Sequence, residues 1–383
     1  MNSFLSKFSL KKPETESGIL SAAFWLDFVK RNQRILQPLM FFGGFTYDSL
    51  TMVRVDNLID NIFFFAYLLL LSAIMILQIR LQANPGIGSW LARYFSYFPL
   101  AAQFMIGAMM SGFLIYYFQS AADAKAFLFV LIIVALLIGN EFLEKRYEKI
   151  GLLFVLYFFC LFSFLLFFIP TVSKKLNHWS FVLALIFALM LTLLLWIIGN
   201  MAFHRSAYPA ILKKPFLGVI LTLSLLLALL YHQNWIPPVP LSLKSIGVYK
   251  SVVKENNEYR LSYTPNPWYL SWRNYNATLY YRPGDQMVCF ASVFAPGGLE
   301  EKIIHNWQIF DEQSQSWLDV DRIEFKMIGG RDGGYRGFTQ KSKLKPGNWR
   351  VRILNEENKL IGKVHFSAVN VDSMFQATEI ILY

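Results

Sequence analysis

The sequence predicts an α-helical membrane bundle of about seven spans followed by an all-β domain, an antiparallel sandwich of immunoglobulin-like type. Three observations predict it. Of the 383 residues, 55% are hydrophobic and only 16% charged, with a mean hydropathy of +0.39, which is too apolar for a soluble chain of this length. Seven stretches are apolar over something close to a membrane crossing, which takes about 20 residues for about 30 Å of hydrocarbon. From about Gly247 onward no run of ten apolar residues occurs, and short alternating segments between turn residues take over.

Residues 1–34 read as a polar N-terminal arm. They lack a short apolar core with a small-residue cleavage site, so no removable signal peptide is expected and the first span stays as an anchor. The spans occupy residues 35–231. They run roughly from Ile35 to Val53, Ile62 to Ile79, Tyr97 to Phe118, Ala126 to Asn140, Ile150 to Pro170, Trp179 to Gly199 and Pro215 to Tyr231. Lys and Arg near the helix ends set the orientation. Lys7, Lys11, Lys12, Lys30, Arg31, Arg34, Arg80, Arg93, Lys145, Arg146, Lys149, Arg205, Lys213 and Lys214 put 14 basic residues on one side. Arg54, Lys125, Lys174 and Lys175 put 4 in the short loops of the other. This bias places the N-terminus in the cytoplasm, and seven crossings place everything after Tyr231 outside. In a Gram-negative bacterium that outside would be the periplasm.

Residues 232–246 read as a connector. "NWIPPVPLSLKS" holds three prolines in four residues, which favours an extended, semi-rigid segment, and Trp235 suits the aromatic belt at the outer interface. Residues 247–383 read as the β-domain. "NATLYYRP", "DQMVCFASVF", "KIIHNWQIFD", "RIEFKMIGG", "NWRVRIL" and "LIGKVHFSAV" are strand candidates, the last two as a hairpin. In "NWRVRIL", Trp349, Val351 and Ile353 face one way and Arg350 and Arg352 the other. A small barrel is the alternative to a two-sheet sandwich. Of the two cysteines, Cys160 lies in the fifth span and Cys289 in the β-domain, so the domain rests on its core alone. The formal charge of +11 is mostly the topology signal. Residues 232–383 hold 18 Lys/Arg against 15 Asp/Glu, too small an excess to argue for nucleic acid.

The polar residues of the membrane half are the first candidates for function. Asp48, beside Thr46, Tyr47 and Ser49, lies about 13 residues into the first span, or about 20 Å across a core of about 30 Å. A charge there costs at least about 2.5 kcal/mol, so it should face the bundle and find a partner. It reads as a substrate- or proton-handling carboxylate, or as a structural one paired with Arg54 or a glutamine. Asp56 and Asp60 are four apart, on one helix face, and suit acid/base or cation chemistry. They also stand where a helix begins, and capping explains them as well. Gln103 lies in the third span with Gly107 and Ser111, whose small-xxx-small spacing suits close packing. Glu141, at the inner edge of the fourth span, is a further carboxylate.

In the β-domain, "GGRDGGYRGF" lacks the lysine and following helix of a phosphate loop and reads as a hairpin turn at Asp332-Gly333. Arg331, Arg336, Arg350 and Arg352, with Lys341, Lys343 and Lys345 alternating on one strand face, suit an anion-binding patch for lipid headgroups or an acidic partner. A solvated face with aggregation-blocking edge lysines accounts for them equally. The histidines are scattered, no Cys/His spacing suits a metal, and neither G-x-S-x-G nor H-E-x-x-H occurs. No cofactor, metal or catalytic constellation is expected.

"HNWQIF", "GGYRGFTQKSKLKPGNWRVRI" and "LIGKVHFSAV" resemble the bacterial domain of unknown function 2914. The matching positions are His305, Trp307, Gly334, Tyr335, Arg336, Pro346, Gly347, Trp349, Arg350, Val351, Ile361 and Gly362. "GGFTYDSLTMVRVDN", "QFMIGAMMSGF" and "WIPPVPLSLKSIGVYKSV" resemble the multi-pass region often found ahead of that domain, so the resemblance runs from about Ile35 to Val371. It implies a bacterial inner-membrane protein with an exported β-domain and carries no activity with it.

The sequence therefore points to a non-enzymatic protein whose helices anchor a periplasmic β-sandwich. That domain would bind an envelope component or a partner protein. His305, Trp307, Arg331, Tyr335, Arg336, Lys343, Trp349, Arg350 and Arg352 are its candidate binding residues; among them Trp307, Tyr335, Arg336, Trp349 and Arg350 form a surface or packing signature, part of which, Trp349 above all, is expected in the core. The alternative is a transporter or lipid-handling enzyme using Asp48, Asp56 and Asp60 near the outer mouth of the bundle. Besides the bilayer, a periplasmic or membrane protein is the expected partner. Ligand and oligomeric state are not legible.

Overall fold

The computed structural model describes residues 43, 45–52, 54–83, 98–142, 150–201, 215–255, 258–264, 268–270, 274–371 and 379–382. Contacts divide the chain into two units, 1–51 and 52–383. In the first, residues 45–51 are helical, and Ser49 and Thr51 donate their hydroxyls back to the carbonyls of Phe45 and Tyr47 at 2.8 and 2.9 Å. Gly43 and Met52 apart, the remainder of the expected first span, and the basic residues expected on the inner side other than Arg80, lie outside the described residues.

The second unit opens with helices α1 (Leu58–Ala83), α2 (Phe98–Ser120), α3 (Ala124–Phe142), α4 (Ile150–Ser173), α5 (His178–Met201) and α6 (Pro215–His232). Each coincides within a few residues with an expected span. Leu58–Leu81, Phe98–Ser120, Ile150–Ser173 and His178–Gly199 are long and apolar enough to cross a membrane, and Ala124–Gly139 and Leu217–His232 are shorter apolar helices. Three helices begin on a side-chain cap. The Oδ1 atoms of Asn57, Asp123 and Asn177 accept the backbone N–H of Ile59, Ala126 and Ser180 at 2.9–3.1 Å. Helix α4 is the central one, buried along most of its length and packed on α1, α2, α5 and α6. Polar groups inside the bundle meet each other: Ser72 Oγ is 2.9 Å from Tyr157 Oη, and the Tyr117 hydroxyl is 3.4 Å from Ser163 Oγ. Phe104, Leu131, Leu194 and Leu225 point outward, as lipid-facing residues would.

The β-domain follows: β1 (Ser242–Tyr249), β2 (Ser251–Glu255), β3 (Glu258–Tyr263), β4 (Thr278–Tyr281), β5 (Met287–Phe294), β6 (Glu300–Asp311), β7 (Ser316–Ile328), β8 (Tyr335–Lys341), β9 (Gly347–Leu354), β10 (Leu360–Asn370) and β11 (Glu379–Leu382). They make a five-stranded sheet in the order β4-β10-β9-β6-β7 and two three-stranded sheets, β1-β5-β8 and β11-β3-β2. The main core lies between the five-stranded sheet and β1-β5-β8, around Trp307, Trp349, Val351, Cys289 and Phe366. A second core of Tyr249, Tyr259, Leu261, Tyr263 and Phe290 lies between β1-β5-β8 and the third sheet.

This departs from a purely antiparallel pair of sheets in two ways. β5 is buried at every position because it belongs to the middle layer, with Cys289 on one side and Phe290 on the other. And β4 pairs with β10 in parallel. β9 and β10 form the expected antiparallel hairpin. The turn at Asp332-Gly333 is present, closed by Gly334 N–H on the Arg331 carbonyl at 3.0 Å, but it joins β7 and β8 of different sheets and so is not a hairpin.

Candidate functional site

The turn between residues 54 and 57 is where the bundle meets the β-domain. Arg54 forks onto Asp56, Nε to Oδ1 at 2.9 Å and Nη2 to Oδ2 at 2.7 Å, and its Nη1 pairs with Asp332 in the β7–β8 turn. Asp56 Oδ2 also accepts the Gly297 N–H from the β5–β6 turn at 2.8 Å. The guanidinium lies 5.6 Å from the centroid of the Phe294 ring, at the end of β5. Burial alone would raise the Asp56 carboxyl, but the hydrogen bonds from Arg54 and Gly297 and the charge of Arg54 hold it below the usual carboxylate range. The Arg54 guanidinium is correspondingly raised, chiefly by its hydrogen bond to Asp56. Asp56 is therefore neither a helix cap, a place Asn57 takes, nor half of a pair with Asp60. Asp60 sits in the first turn of α1, where the Tyr116 hydroxyl donates to it at 3.4 Å.

A second contact joins the loop between α4 and α5 to the start of β6, three residues beyond Gly297. Glu300 N–H donates to the Lys174 carbonyl at 3.2 Å, and Lys175 bridges to Glu300. The β9–β10 turn reaches the same place. Glu357 accepts the His178 N–H and, at 3.3 Å, the Tyr231 hydroxyl. Lys359 Nζ lies over the Tyr231 ring, 2.9 Å from its centroid and 3.9 Å from Glu357. Burial pulls the Lys359 ammonium down to about 7, against the charge of Glu357. Burial pushes the nearby Glu301 carboxyl up to about 7, helped by Glu356 and Glu357 and opposed by its hydrogen bond from Glu356 N–H. The connector completes the junction: Ile236 to Leu241 are all buried, and β1 begins at Ser242, inside the segment read as linker. Cavities of about 10 Å³ remain at the Lys359 contact and beside Val55 and Phe294, the size of one water.

The β-domain candidates separate into core and surface. His305 and Trp307 lie on the inward face of β6, both fully buried, and share the Thr339 hydroxyl at 2.9 and 3.1 Å. Burial drives the His305 imidazole down to about 3, so it stays neutral. Trp349 is buried and donates to the Lys345 carbonyl at 2.8 Å. Tyr335 stacks on Phe325 with ring centroids 6.3 Å apart. The basic patch expected on one strand face is divided. Arg331 is exposed in the β7–β8 turn and Arg336 half-buried on β8, while Lys341 is buried against Asp321 and Trp349. Lys343 is exposed beyond β8. Arg350 and Arg352 are on the outward face of the other sheet.

Residues 300–368 match the family described as "Protein of unknown function (DUF2914)". The DUF2914 segment runs from the first residue of β6 almost to the end of β10, and its motif positions read as packing. Gly334 has φ +80°, and a Cβ there would lie 2.7 Å from Ser292 Oγ and 2.9 Å from the Val293 carbonyl carbon. At Gly362 a Cβ would meet Leu243 at 2.4 Å, where the five-stranded sheet approaches β1. Of the DUF2914 positions, Arg350 is the charged one that reaches the outward sheet face. No curated protein matches the chain. Among solved structures, the alkylpurine DNA glycosylase AlkC of Pseudomonas fluorescens, bound to DNA containing an abasic site analog, aligns over 80% of this chain and 98% of its own. It does so at 11% identity and a TM-score of 0.22, too low to bear on fold or function.

Asp48 is half-buried in helical residues 45–51, Gln103 is half-buried in α2, and Glu141 lies in the last turn of α3. A cavity of about 380 Å³ opens at the end of β5 away from Phe294, lined by Lys250, Tyr280, Tyr281, Asp285, Met287 and Gln340. β5 carries it about 20 Å from the Arg54 junction at about 3.3 Å per residue. Thr339 and Ser292, which organise the motif, were not singled out in the sequence. Their signal is the inward register of β8 and β5.

Proposed function

We propose that this is an integral inner-membrane protein with its N-terminus in the cytoplasm, whose seven crossings hold an immunoglobulin-like β-domain in fixed orientation on the periplasmic side. That domain binds an envelope component or a partner protein. The observation that carries this reading is the Arg54 junction. Asp56, a carboxylate a transporter or membrane enzyme would use, is instead spent on joining the two halves. The junction cavities admit about one water, whereas the space of ligand size is at the far end of β5. A buried connector adds to the rigidity and favours presentation over gating.

The test is genetic. In a strain lacking the gene, the chain truncated after residue 241 should fail to restore the wild-type phenotype, at membrane abundance equal to wild type. Full rescue by that truncation would remove the β-domain from the function. A periplasm-dependent reporter fused after Tyr383 should be active, and activity of a cytoplasm-dependent one instead would overturn the orientation.

A further inference from the structure

The outward face of the five-stranded sheet carries cations in register. Lys302 pairs directly with Lys326 across β6 and β7, Arg352 with Lys363 and Arg350 with His365 across β9 and β10. Like charges directly opposite each other destabilise a sheet. Two such rungs, Lys302–Lys326 and Arg352–Lys363, lie on one face, and opposite Arg350 the His365 imidazole is held toward its neutral form by burial and by the charges of Lys363 and Arg350. The carboxylates of that face are few: Glu356 pairs with Lys302, Glu324 with Arg322, and Asp319 accepts the side-chain amides of Asn306 and Gln308 while its charge also reaches Arg350 and Arg352. Among the described residues, no carboxylate lies within 4.0 Å of Lys326, Arg350, Arg352 or Lys363. Arg350 is also held in place. Its Nε donates to Gln308 Oε1 and its guanidinium lies 4.3 Å from the centroid of the Trp317 ring, leaving its outer N–H groups open.

We infer that this face, with Arg350, Arg352, Lys363 and Lys326 at its centre, is a docking surface for an extended acidic segment of a partner protein. The inference rests on the anchored-binding reading and names its surface. Lipid phosphates do not fit the upper rungs. The stripe starts beside the helix ends, where Glu300 meets Lys174, and six residues separate Lys302 from Gln308, the neighbour of Arg350. At about 3.3 Å per residue that is about 20 Å, against a headgroup layer of about 5–8 Å. A polypeptide places side chains of one face about 6.6 Å apart when extended, the spacing of Arg350 and Arg352.

The experiment uses the full chain in nanodiscs of neutral lipid and a fluorescent peptide of alternating Glu and Ser as probe, read by polarisation. Binding should weaken about tenfold in the triple variant Arg352→Gln, Lys363→Gln, Lys326→Gln, as loss of three exposed ion pairs of about 0.5 kcal/mol each implies. These side chains are at least partly exposed, and a thermal midpoint no lower than that of wild type will show that the variant folds. Charge reversal at Lys363 and Lys326 to Glu should abolish binding. No binding by wild type, or equal binding by wild type and variants, overturns the inference, as does loss by the same variants of binding to phosphatidylglycerol vesicles alone. A β-domain that is needed for rescue while the triple variant rescues fully would sink this inference and leave the anchored reading standing. Rescue without the β-domain would sink both.

Discussion

Arg54→Ala is the perturbation that separates a docked β-domain from a tethered one. The Asp56 side chain is 10% exposed, so losing Arg54 strands a nearly buried carboxylate on the single N–H of Gly297. Breaking such a pair by removing one partner costs about 2–3 kcal/mol when the site is partly open to water. The Asp332 arm adds little, since that side chain is 84% exposed, and exposed pairs contribute about 0–1 kcal/mol. The docking equilibrium should therefore fall by about 30- to 150-fold, at 1.4 kcal/mol per factor of ten. Hydrogen–deuterium exchange reads it locally, because the Gly297 amide is itself a partner of Asp56. In Arg54→Ala that amide should exchange at least about 30-fold faster, while amides within the β6–β9 ladder keep their protection. Asp332→Ala should change Gly297 by less than about fivefold. Unchanged exchange at Gly297 in Arg54→Ala, or equal effects of the two variants, would refute the junction as drawn. The pH dependence has a definite sign. The Asp56 carboxyl is held below its ordinary value, so its contribution is complete above the unfolded value and is lost only as pH falls through the folded one. The Gly297 amide should stay protected across neutral pH and lose protection in acid.

Other predictions concern the β-domain. Glu301 is raised to about 7 from an ordinary 4.5, so its stabilising contribution is full below about pH 4.5 and gone once pH has risen through 7. Glu301→Gln, which keeps the acceptor for Glu356 N–H, should be the more stable protein at pH 8 by on the order of 1–2 kcal/mol and equal to wild type at pH 4.5, in denaturant unfolding followed by tryptophan fluorescence. Gly334→Ala should destabilise by at least about 2 kcal/mol, from left-handed strain together with overlap on β5, whereas Gly333→Ala, whose Cβ would be 3.5 Å from Arg336, should stay within about 1 kcal/mol. Equal midpoints for the two would discount the tight turn. Thr339→Val leaves the buried His305 and Trp307 without their shared hydroxyl and should cost about 1–3 kcal/mol with no change at the Arg54 junction.

Much of the architecture was legible because its signals are local. Runs of Leu, Phe and Ile long enough to cross hydrocarbon give α1 to α6, and alternation gives β6, β9 and β10. β1 was hidden by the prolines before it, and β8 by the glycines of "GGYRGF". β5, buried on both faces, reads as a continuous apolar run whether a sheet covers one side or two, so the third sheet left no mark. The candidate site was half legible. Arg54 and Asp56 stood out as charges beside an apolar run, but their partners Gly297 and Asp332 lie more than 240 residues away in sequence. His305 and Trp307 were left open between surface and packing because aromatic and imidazole groups suit either place; the inward register of β6 decides for the core. Arg350 and Arg352 were assigned their face correctly, while the lysines expected beside them belong to another sheet or turn.

The central claim is that the helical half holds and the β-domain acts. The most direct measurement is rescue of the deletion phenotype by Asp48→Asn at membrane abundance matched to wild type. A holding role predicts full rescue, because a neutral isostere keeps the helix and its packing. Loss of function without loss of abundance would contradict the account and make the bundle, through that carboxylate, the working part.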